Sequence, residues 1–342
     1  MRNIGPIRFL EFAALVAIVI YGLVEPDAFN LDRMGKYFLL ATLALSVDLV
    51  WGYAGLVTLG HAVFFGAGSY VGALVLVRHV GGLPASIPLS MVLGTLFAML
   101  LAGVLGAFLF VGRGVQGGYF ALATLAVAFL AEQYLNSSGP LLGGFNGIPN
   151  LPYFEIGSLD VSGGAGFYWF SALFLIAVYV GLLLMLRSRL GLVIRGLREK
   201  EQRLNYLGYE TARLKWSLFV LSAGLAGLVG CVYAIHDGFV SPQLAGVELS
   251  TQIVTWVAIG GTGTLLGPVL GTLLINASSS WLSTVLVHDW LLVLAGVLIV
   301  MIRFRPAGVL GGVGVPRPPV VDQPAPRAEP SPVVAADVEV AA

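Results

Sequence analysis

Trp51–Gly68 reads WGYAGLVTLGHAVFFGAG, and this stretch decides which kind of structure the chain can form. It is strongly apolar, but it carries five glycines, one histidine and no charged residue. At membrane depth, a segment broken by glycines is tolerated only where protein or a water-filled cavity covers its backbone. Such broken segments are typical of transport pathways. Asp48 lies just upstream, on one helical face with Trp51 and Gly55, so this region is the first candidate for function.

The composition of the whole chain is that of a membrane protein. Of its 342 residues, 58% are hydrophobic and 11% are charged, whereas a soluble domain has about 25% charged residues. The mean hydropathy is +0.91, so the charges are too few to keep a soluble surface of this size wet. The single cysteine, Cys231, excludes a disulfide framework and a cysteine-based metal site.

Apolar runs predict the membrane-spanning helices. A hydrocarbon core of about 30 Å requires about 20 apolar residues in a helix. The runs are Phe9–Val24, Tyr37–Leu56, Val63–Val77, Ile87–Val111, Gly117–Asn136, Phe167–Leu186, Trp216–His236, Leu249–Ile259, Thr264–Leu286 and Trp290–Ile302. The third and eighth runs are short and are expected to be half-helices or re-entrant segments. We therefore predict an all-α integral membrane protein, a polytopic bundle of about 8–10 transmembrane helices with broken or re-entrant segments.

The basic residues predict the orientation of the bundle. Eight of the eighteen Lys and Arg residues lie between Arg187 and Lys215, so the positive-inside rule places this loop in the cytoplasm. Counting ten crossings outward from the loop places both chain termini in the cytoplasm as well. The agreement is incomplete, because three basic residues then fall outside: Arg33, Lys36 and Arg78.

The chain divides into two regions. Residues 1–310 form the predicted transmembrane domain, with residues 187–215 as its cytoplasmic loop. Residues 311–342 are predicted to be a disordered cytoplasmic tail, because Pro316–Ala342 is rich in Pro, Ala and Val with scattered charge.

The loop 187–215 is the sizeable polar insertion between the predicted helices. Its centre, Arg195–Gly208, is compatible with a short amphipathic helix that ends at Gly208 as a C′ glycine. The predicted apolar face consists of Leu197, Leu204 and Leu207. Two interpretations are open: a solvated connector or a helix on the lipid surface, and a coupling helix that docks into a groove on a cytoplasmic partner.

Small residues recur at helical spacing in several runs. Gly263, Gly267 and Gly271 form one such row, and plain helix packing is the favoured interpretation of these rows. The functional alternative is that Gly260–Gly267, which precedes Pro268, unwinds near a pathway. The other small-residue pairs are Gly68 with Gly72, Ala223 with Gly227, and Ala226 with Gly230.

Few ionisable residues lie within the predicted spans. Asp48 and Glu132 are the clearest, and each should face protein or water rather than lipid. A structural hydrogen bond at the helix break is favoured for His61 over a substrate contact. The sequence contains no zinc-protease motif, no Walker loop and no nucleophile elbow. We therefore expect no catalytic site, no metal site and no cofactor.

Seven segments occur in order over roughly residues 35–310. They are Asp48–Gly66, Gly118–Leu125, Gly143–Ile148, Arg195–Glu199, Leu207–Tyr209, Ser222–Leu228 and Gly260–Pro268. Together they resemble the signature of the branched-chain amino acid permeases of ABC importers, of the LivM type. The resemblance implies an inner-membrane subunit that pairs with a second, related permease. Two cytoplasmic ATPases would drive transport and a periplasmic binding protein would deliver the substrate.

The glycine-rich breaks and the polar loop 187–215 predict which residues of such a permease carry function. Such a chain would not bind or hydrolyse ATP, and no nucleic acid is expected as a partner. The predicted translocation-path residues are Asp48, Trp51, Gly60, His61, Gly260, Gly261 and Gly263. The predicted residues for coupling to the ATPase are Arg195, Arg198, Glu199, Glu201, Leu204, Leu207 and Gly208. A stand-alone channel or an ion-coupled carrier for a small polar solute is the alternative function.

The substrate is open between two branches of the family. The same family includes permeases for urea and short amides, and amino acid permeases usually have Asn in place of Asp48. Trp51 and Trp256 also favour the urea branch. The substrate class is therefore either branched-chain amino acids or urea and short amides.

Overall fold

A computed structural model describes residues 5–78, 84, 86–110, 117–139, 141–152, 154–156, 159–160, 163–285, 296, 303 and 308–310. The predicted all-α membrane fold is confirmed, since the described strands are only two residues long. Five described helical segments are long and apolar enough to cross a membrane: Ala28–Tyr53, Ile87–Phe110, Gly118–Ser137, Gly164–Arg187 and Thr211–Asp237.

Ten α-helices and four short strands follow one another in the described residues. The helices are α1 Gly5–Val24, α2 Ala28–Asp48, α3 Ala62–Val77, α4 Ile87–Phe110, α5 Gly118–Ser137, α6 Gly164–Arg187, α7 Arg189–Tyr206, α8 Thr211–Asp237, α9 Val247–Gly260 and α10 Leu266–Val285. The strands are β1 Ile148–Pro149, β2 Glu155–Ile156, β3 Leu159–Asp160 and β4 Phe239–Val240. Most of the predicted run Trp290–Ile302 and the whole predicted tail 311–342 lie outside the described residues.

The second helix begins nine residues before the predicted apolar run, at Ala28 rather than at Tyr37. Asp27 explains the difference, because its carboxylate accepts a hydrogen bond from the Phe29 N–H at 3.0 Å and so caps the helix. The charged first turns of α2 therefore belong to the helix although they do not belong to the apolar run.

The bundle has two ends of different character. At the basic end, α7 lies between α6 and α8 and carries most of the charge of the loop 187–215. At the opposite end, β1 pairs with β4 in antiparallel orientation, with Ile148 opposite Val240. Lys36 and Asp237 also form an ion pair of 2.6 Å at that end. These contacts bring the start of α2, the end of α8 and the loop after α5 together.

The core lies where α3, α4 and α8 pack through small residues. A Cβ atom at Gly68 would collide with the carbonyl oxygen of Gly227, and one at Gly94 would lie 2.9 Å from the carbonyl oxygen of Gly68. A Cβ atom at Gly230 would collide with the carbonyl oxygen of Phe65. The packing interpretation of these small residues is confirmed, because only glycine allows the backbones to approach so closely.

Two helices are too short to cross a hydrocarbon core alone. The 16 residues of α3 and the 14 residues of α9 rise about 24 and 21 Å, compared with about 30 Å for the core. The chain unwinds after Gly260 and returns as α10, which packs against α9. The third and eighth runs are therefore the predicted broken segments, and the predicted unwinding after Gly260 is present.

Candidate functional site

The end of α2 is irregular at the point where the sequence predicts a break. The helix widens into a π-helix over Leu49–Tyr53, a distortion that is frequent at functional sites. The π-helix ends at Tyr53, and Gly55 just beyond it has a φ of +77°, which glycine adopts without strain. A Cβ atom at Gly52 would collide with the Asp48 carboxylate, so a glycine is required for the carboxylate to lie against the π-helix.

Asp48 connects the π-helix to a distant turn. Its side chain is fully buried, and its Oδ1 accepts a hydrogen bond of 2.8 Å from the Gly263 N–H. Gly263 lies in the turn between α9 and α10 and has a φ of +77°. The second carboxylate oxygen, Oδ2, has no hydrogen-bond partner among the described residues. The end of α2 and the α9–α10 turn are therefore fastened together through one carboxylate.

Arg198 of α7 reaches the same place from the basic end. Its guanidinium Nη1 donates a hydrogen bond to the carbonyl oxygen of Gly52. A Cβ atom at Gly263 would collide with this guanidinium, and one at Gly55 would lie 3.5 Å from the Arg198 Cγ. We call the group of Asp48, Gly52, Arg198 and Gly263 the joint. It brings together two predicted path residues and one predicted coupling residue, which the sequence analysis treated separately.

His61 lies in a second polar group, away from the joint. Its Nε2 is 3.1 Å from the Ser46 Oγ of α2 and 3.1 Å from the Ser222 Oγ of α8. The ring is buried and packs edge-on against Phe64. This arrangement fits the structural role, because one imidazole holds the start of α3 between two other helices. The two serines were missed by the sequence analysis, although single hydroxyls inside apolar helices are a usable signal.

Gly60 lies directly against α5. A Cβ atom at this position would collide with the backbone carbonyl oxygen of Thr124. The Thr124 Oγ1 also accepts a hydrogen bond of 3.0 Å from the Leu59 N–H. The loop after the π-helix is therefore covered by α5, as broken backbone at membrane depth requires.

Two further predicted path residues, Gly260 and Gly261, lie at the end of α9. Gly261 is the C-cap of α9 with a φ of +113°, and a Cβ atom at Gly260 would collide with the carbonyl oxygen of Gly267. Trp51 is half-buried against the core, and Trp256 is buried on the inner face of α9. Gly260 and Gly261 therefore shape the turn that Asp48 holds.

The predicted coupling helix is α7, and its backbone is interrupted at Lys200, which has φ −153° and ψ 87°. The predicted C′ glycine is confirmed. Gly208 has a φ of +85°, its N–H donates to the Asn205 carbonyl at 3.0 Å, and the Tyr209 N–H donates to the Leu204 carbonyl at 3.1 Å. This is the hydrogen-bond pattern of a Schellman motif.

The predicted apolar face of α7 is wrong at Leu207. Leu197 and Leu204 are buried, whereas Leu207 is 73% exposed. The helix ends at Tyr206, and Leu207 is its C-cap residue, outside the buried face of Leu197 and Leu204. Leu207 instead lies between two other exposed apolar residues, Tyr206 and Tyr209. We call these three residues the apolar tip of α7.

The other coupling residues differ in environment. Glu201 forms an ion pair of 2.6 Å with Lys215, which is buried at the start of α8. Arg195 and Glu199 are exposed. The ion pair therefore attaches the second half of α7 to α8, and the exposed charges remain available to solvent.

Glu132 has a structural contact that the sequence analysis did not predict. Its Oε2 accepts a hydrogen bond of 3.3 Å from the Val247 N–H, the first residue of α9. A carboxylate at a helix N-terminus is stabilised by the helix dipole. Glu132 of α5 therefore holds the start of α9. Among the described residues, no group of three or more His, Cys, Asp or Glu side chains could hold a metal ion.

Comparison with known proteins shows that the chain is similar to transport permeases. The family model described as "branched-chain amino acid transport system / permease component" matches residues 31–303. The LivM permease protein of the high-affinity branched-chain amino acid transport system of Salmonella typhimurium is 27% identical over 329 residues, which cover 88% of this chain and 74% of the relative. No solved structure matches the chain.

Two further relatives match most of their own length. The BraD permease protein of the corresponding system of Pseudomonas aeruginosa is 28% identical over 79% of this chain and 91% of the relative. The LivH permease protein of Escherichia coli strain K12 is 21% identical over 83% of this chain and 94% of the relative.

Proposed function

This chain belongs to the family of branched-chain amino acid transport permeases, and we propose that it is the permease subunit of an ABC importer for branched-chain amino acids. Its partners would be a second related permease, two cytoplasmic ATPases and a periplasmic binding protein. Similarity to both a LivM and a LivH protein supports pairing between two related permeases. ATP hydrolysis would take place in the partner chains, and this chain would provide a path that is alternately open to each side.

The observation that carries this proposal is the joint. An ATP-driven permease needs a mechanical connection between its cytoplasmic surface and its path. Arg198 supports such a connection, because it extends from α7 and donates to the carbonyl oxygen of Gly52 in the π-helix. The Asp48 carboxylate then connects the π-helix to the α9–α10 turn. Movement of α7 would therefore act on two broken segments at once.

The basic end would face the cytoplasm, where the positive-inside rule places the charge of α7. Both chain termini would then be cytoplasmic, with residues 1–310 as the permease domain and 311–342 as a cytoplasmic tail. The apolar tip of α7 would contact the ATPase. Three exposed apolar side chains beside a charged helix are suited to insertion into a groove on a partner.

Branched-chain amino acids are proposed as the substrate because the relatives are named for them. The three residues that favoured urea do not form an open passage. Asp48 is fully buried in the joint, Trp256 is buried, and Trp51 is half-buried against the core. Their positions therefore lend the urea interpretation no support.

The docking part of the proposal is tested with the apolar tip. The double variant Tyr206→Ser, Leu207→Ser should remain in the membrane but lose co-purification of ATPase activity with a tagged chain. Phe29→Ser, an exposed apolar residue at the opposite end, is the matched control and should retain it. If the double variant keeps both its ATPase and full uptake, the docking surface is elsewhere.

The substrate part is tested by uptake in cells that express the complete importer. Labelled leucine should be taken up, and excess valine or isoleucine should compete with it whereas excess urea should not. Uptake of labelled urea that leucine does not inhibit would instead place the chain in the urea branch.

A further inference from the structure

One face of α9 carries a row of polar side chains, whereas the rest of the helix is apolar except for Ser250. The row consists of Glu248, Thr251, Gln252 and Thr255. Their spacing of three, four and seven residues from Glu248 places them on one side of the helix. The first three are exposed and Thr255 is half-exposed. The opposite side is buried, and it consists of Ser250, Ile253, Trp256 and Val257.

The orientation of this row is fixed by contacts at several points along α9. The Ala62 N–H donates a hydrogen bond of 3.2 Å to the Ser250 Oγ. Glu132 accepts from the first N–H of the helix, and a Cβ atom at Gly271 of α10 would lie 2.8 Å from the Gly260 nitrogen. Rotation of α9 would break these contacts, so the row cannot turn into the core of this chain.

A position facing lipid is unfavourable for this row of polar side chains. The threonine hydroxyls donate to backbone carbonyls of their own helix, Thr251 to Val247 and Thr255 to Thr251. Glu248 and Gln252 have no such arrangement, because among the described residues their side chains pair only with each other, at 3.3 Å. A carboxylate and an amide are costly in hydrocarbon and normally face water or protein. The helix dipole accounts for an acid in the first turn of α9, but not for the polar residues that follow it.

We propose that this row is a wall of the translocation path, and that Glu248 receives the ammonium group of the incoming solute. This inference rests on the proposed function, because a path wall requires a transporter. The row contains one carboxylate, and α9 contains no Lys or Arg, so its charge is complementary to a cationic group. From Glu248 to Thr255 the row extends about 10 Å along the helix.

The position of the row in the fold supports the same role. Glu248 lies at the end of α9 that is remote from α7, beside the β1–β4 end of the bundle. The other end of α9 runs into the turn whose Gly263 is held by Asp48 in the joint. A shift of α7 would thus be passed through the joint to the helix that carries the row. Path wall and coupling helix are therefore connected by hydrogen bonds through the π-helix and the α9–α10 turn.

Water access is tested by cysteine labelling of the full chain in membranes. Gln252→Cys and Thr255→Cys should react with water-soluble thiosulfonates. Two controls should not: Ser250→Cys, 1% exposed on the inner side of the same helix, and Leu100→Cys, 65% exposed on apolar α4. The native Cys231 is buried and supplies the background rate. Failure of both row positions to react would mean that lipid or another protein chain covers the row, which would overturn the proposal.

The role of Glu248 is tested by the charge of the reagent. At Gln252→Cys, the rate of reaction with a cationic thiosulfonate is divided by the rate with an anionic one. This ratio should be several-fold higher when Glu248 is present than in the variant that also carries Glu248→Gln. The same Glu248→Gln change should raise the KM for leucine uptake and leave the amount of assembled complex unchanged. An unaltered reagent ratio would remove Glu248 as the cation site. Labelling requires neither ATP nor substrate, so a failure of leucine transport would contradict the proposed function without affecting this result.

Discussion

In the core between α3, α4 and α8, glycines bring helix backbones together, whereas in the joint they bring polar side chains together. Beside Gly68 in the core lies a backbone carbonyl, that of Gly227. Beside Gly52 and Gly263 in the joint lie a carboxylate and a guanidinium. The same residue type therefore supports static packing in one region and a hydrogen-bonded connection in the other. Damage to the core should prevent folding, and damage to the joint should prevent transport by a folded protein.

The largest effect is expected from Gly68→Leu in the core. The new side chain would collide with the α8 backbone, and overpacking costs about 1–3 kcal/mol or more. The amount of monodisperse protein in detergent should fall sharply. Gly181→Leu in α6 is the control, because a Cβ atom there meets no atom within 4 Å. Equal yields of the two variants would mean that the core is not tightly packed.

The next effect concerns the carboxylate of the joint. Asp48→Ala would leave the Gly263 N–H without its acceptor, at a cost of about 1–3 kcal/mol for a buried group. Uptake should be lost while the complex still assembles. Asp48→Asn keeps a side-chain oxygen that can accept the same hydrogen bond, so it should retain most uptake. If Ala and Asn are equally active, the hydrogen bond to Gly263 has no role in transport.

A smaller effect is expected at the connection between α7 and the membrane. Arg198→Ala removes the hydrogen bond to Gly52 but leaves the buried carboxylate in place. The purified complex should continue to hydrolyse ATP, but the ratio of solute molecules transported to ATP molecules hydrolysed should fall. Arg203→Ala, which removes an exposed charge from the same helix, should preserve the ratio. The joint does not transmit movement if the two variants behave alike.

The smallest effect is expected at Gly208, outside both regions. Its φ of +85° suits glycine, and a Cβ atom there meets no neighbouring atom. Gly208→Ala therefore introduces backbone strain alone, about 1–2 kcal/mol, and Gly208→Asn should introduce less. The thermal unfolding midpoint of the purified chain should be highest with Gly at this position, lower with Asn and lowest with Ala. A midpoint for the Ala variant equal to that of the parent would show that the helix end is not held in this conformation.

The helices and the close glycine contacts could be predicted from the sequence, because hydropathy and small-residue spacing are local patterns. The hydrogen bonds of the joint could not. Asp48 and Gly263 are separated by 215 residues, and Arg198 is 146 residues from Gly52, so no local pattern relates them. Leu207 was misplaced because the sequence pattern assumes one regular helix, whereas the backbone of α7 is interrupted at Lys200 and the helix ends at Tyr206.

Other features left a signal in the sequence that hydropathy alone does not use. Asp27 is a strong N-cap residue before α2, but the apolar run begins only at Tyr37. The polar row of α9 has helical spacing inside an apolar run, and a search for that spacing would have found Thr251 and Gln252. Polar residues at helical spacing within a membrane segment therefore carry structural information that hydropathy does not.

The length of α8 determines how deep these features lie. Between Lys215 and His236 the helix has 20 residues, which rise about 30 Å, the thickness of the hydrocarbon layer. Trp216, at one limit of this stretch, is of the residue type that prefers the boundary between hydrocarbon and headgroups. Ser222, which contacts His61, then lies about 10 Å inside that boundary. A bilayer with these limits would place the broken backbone around His61 below the headgroups, so the thickness of the bilayer should affect transport.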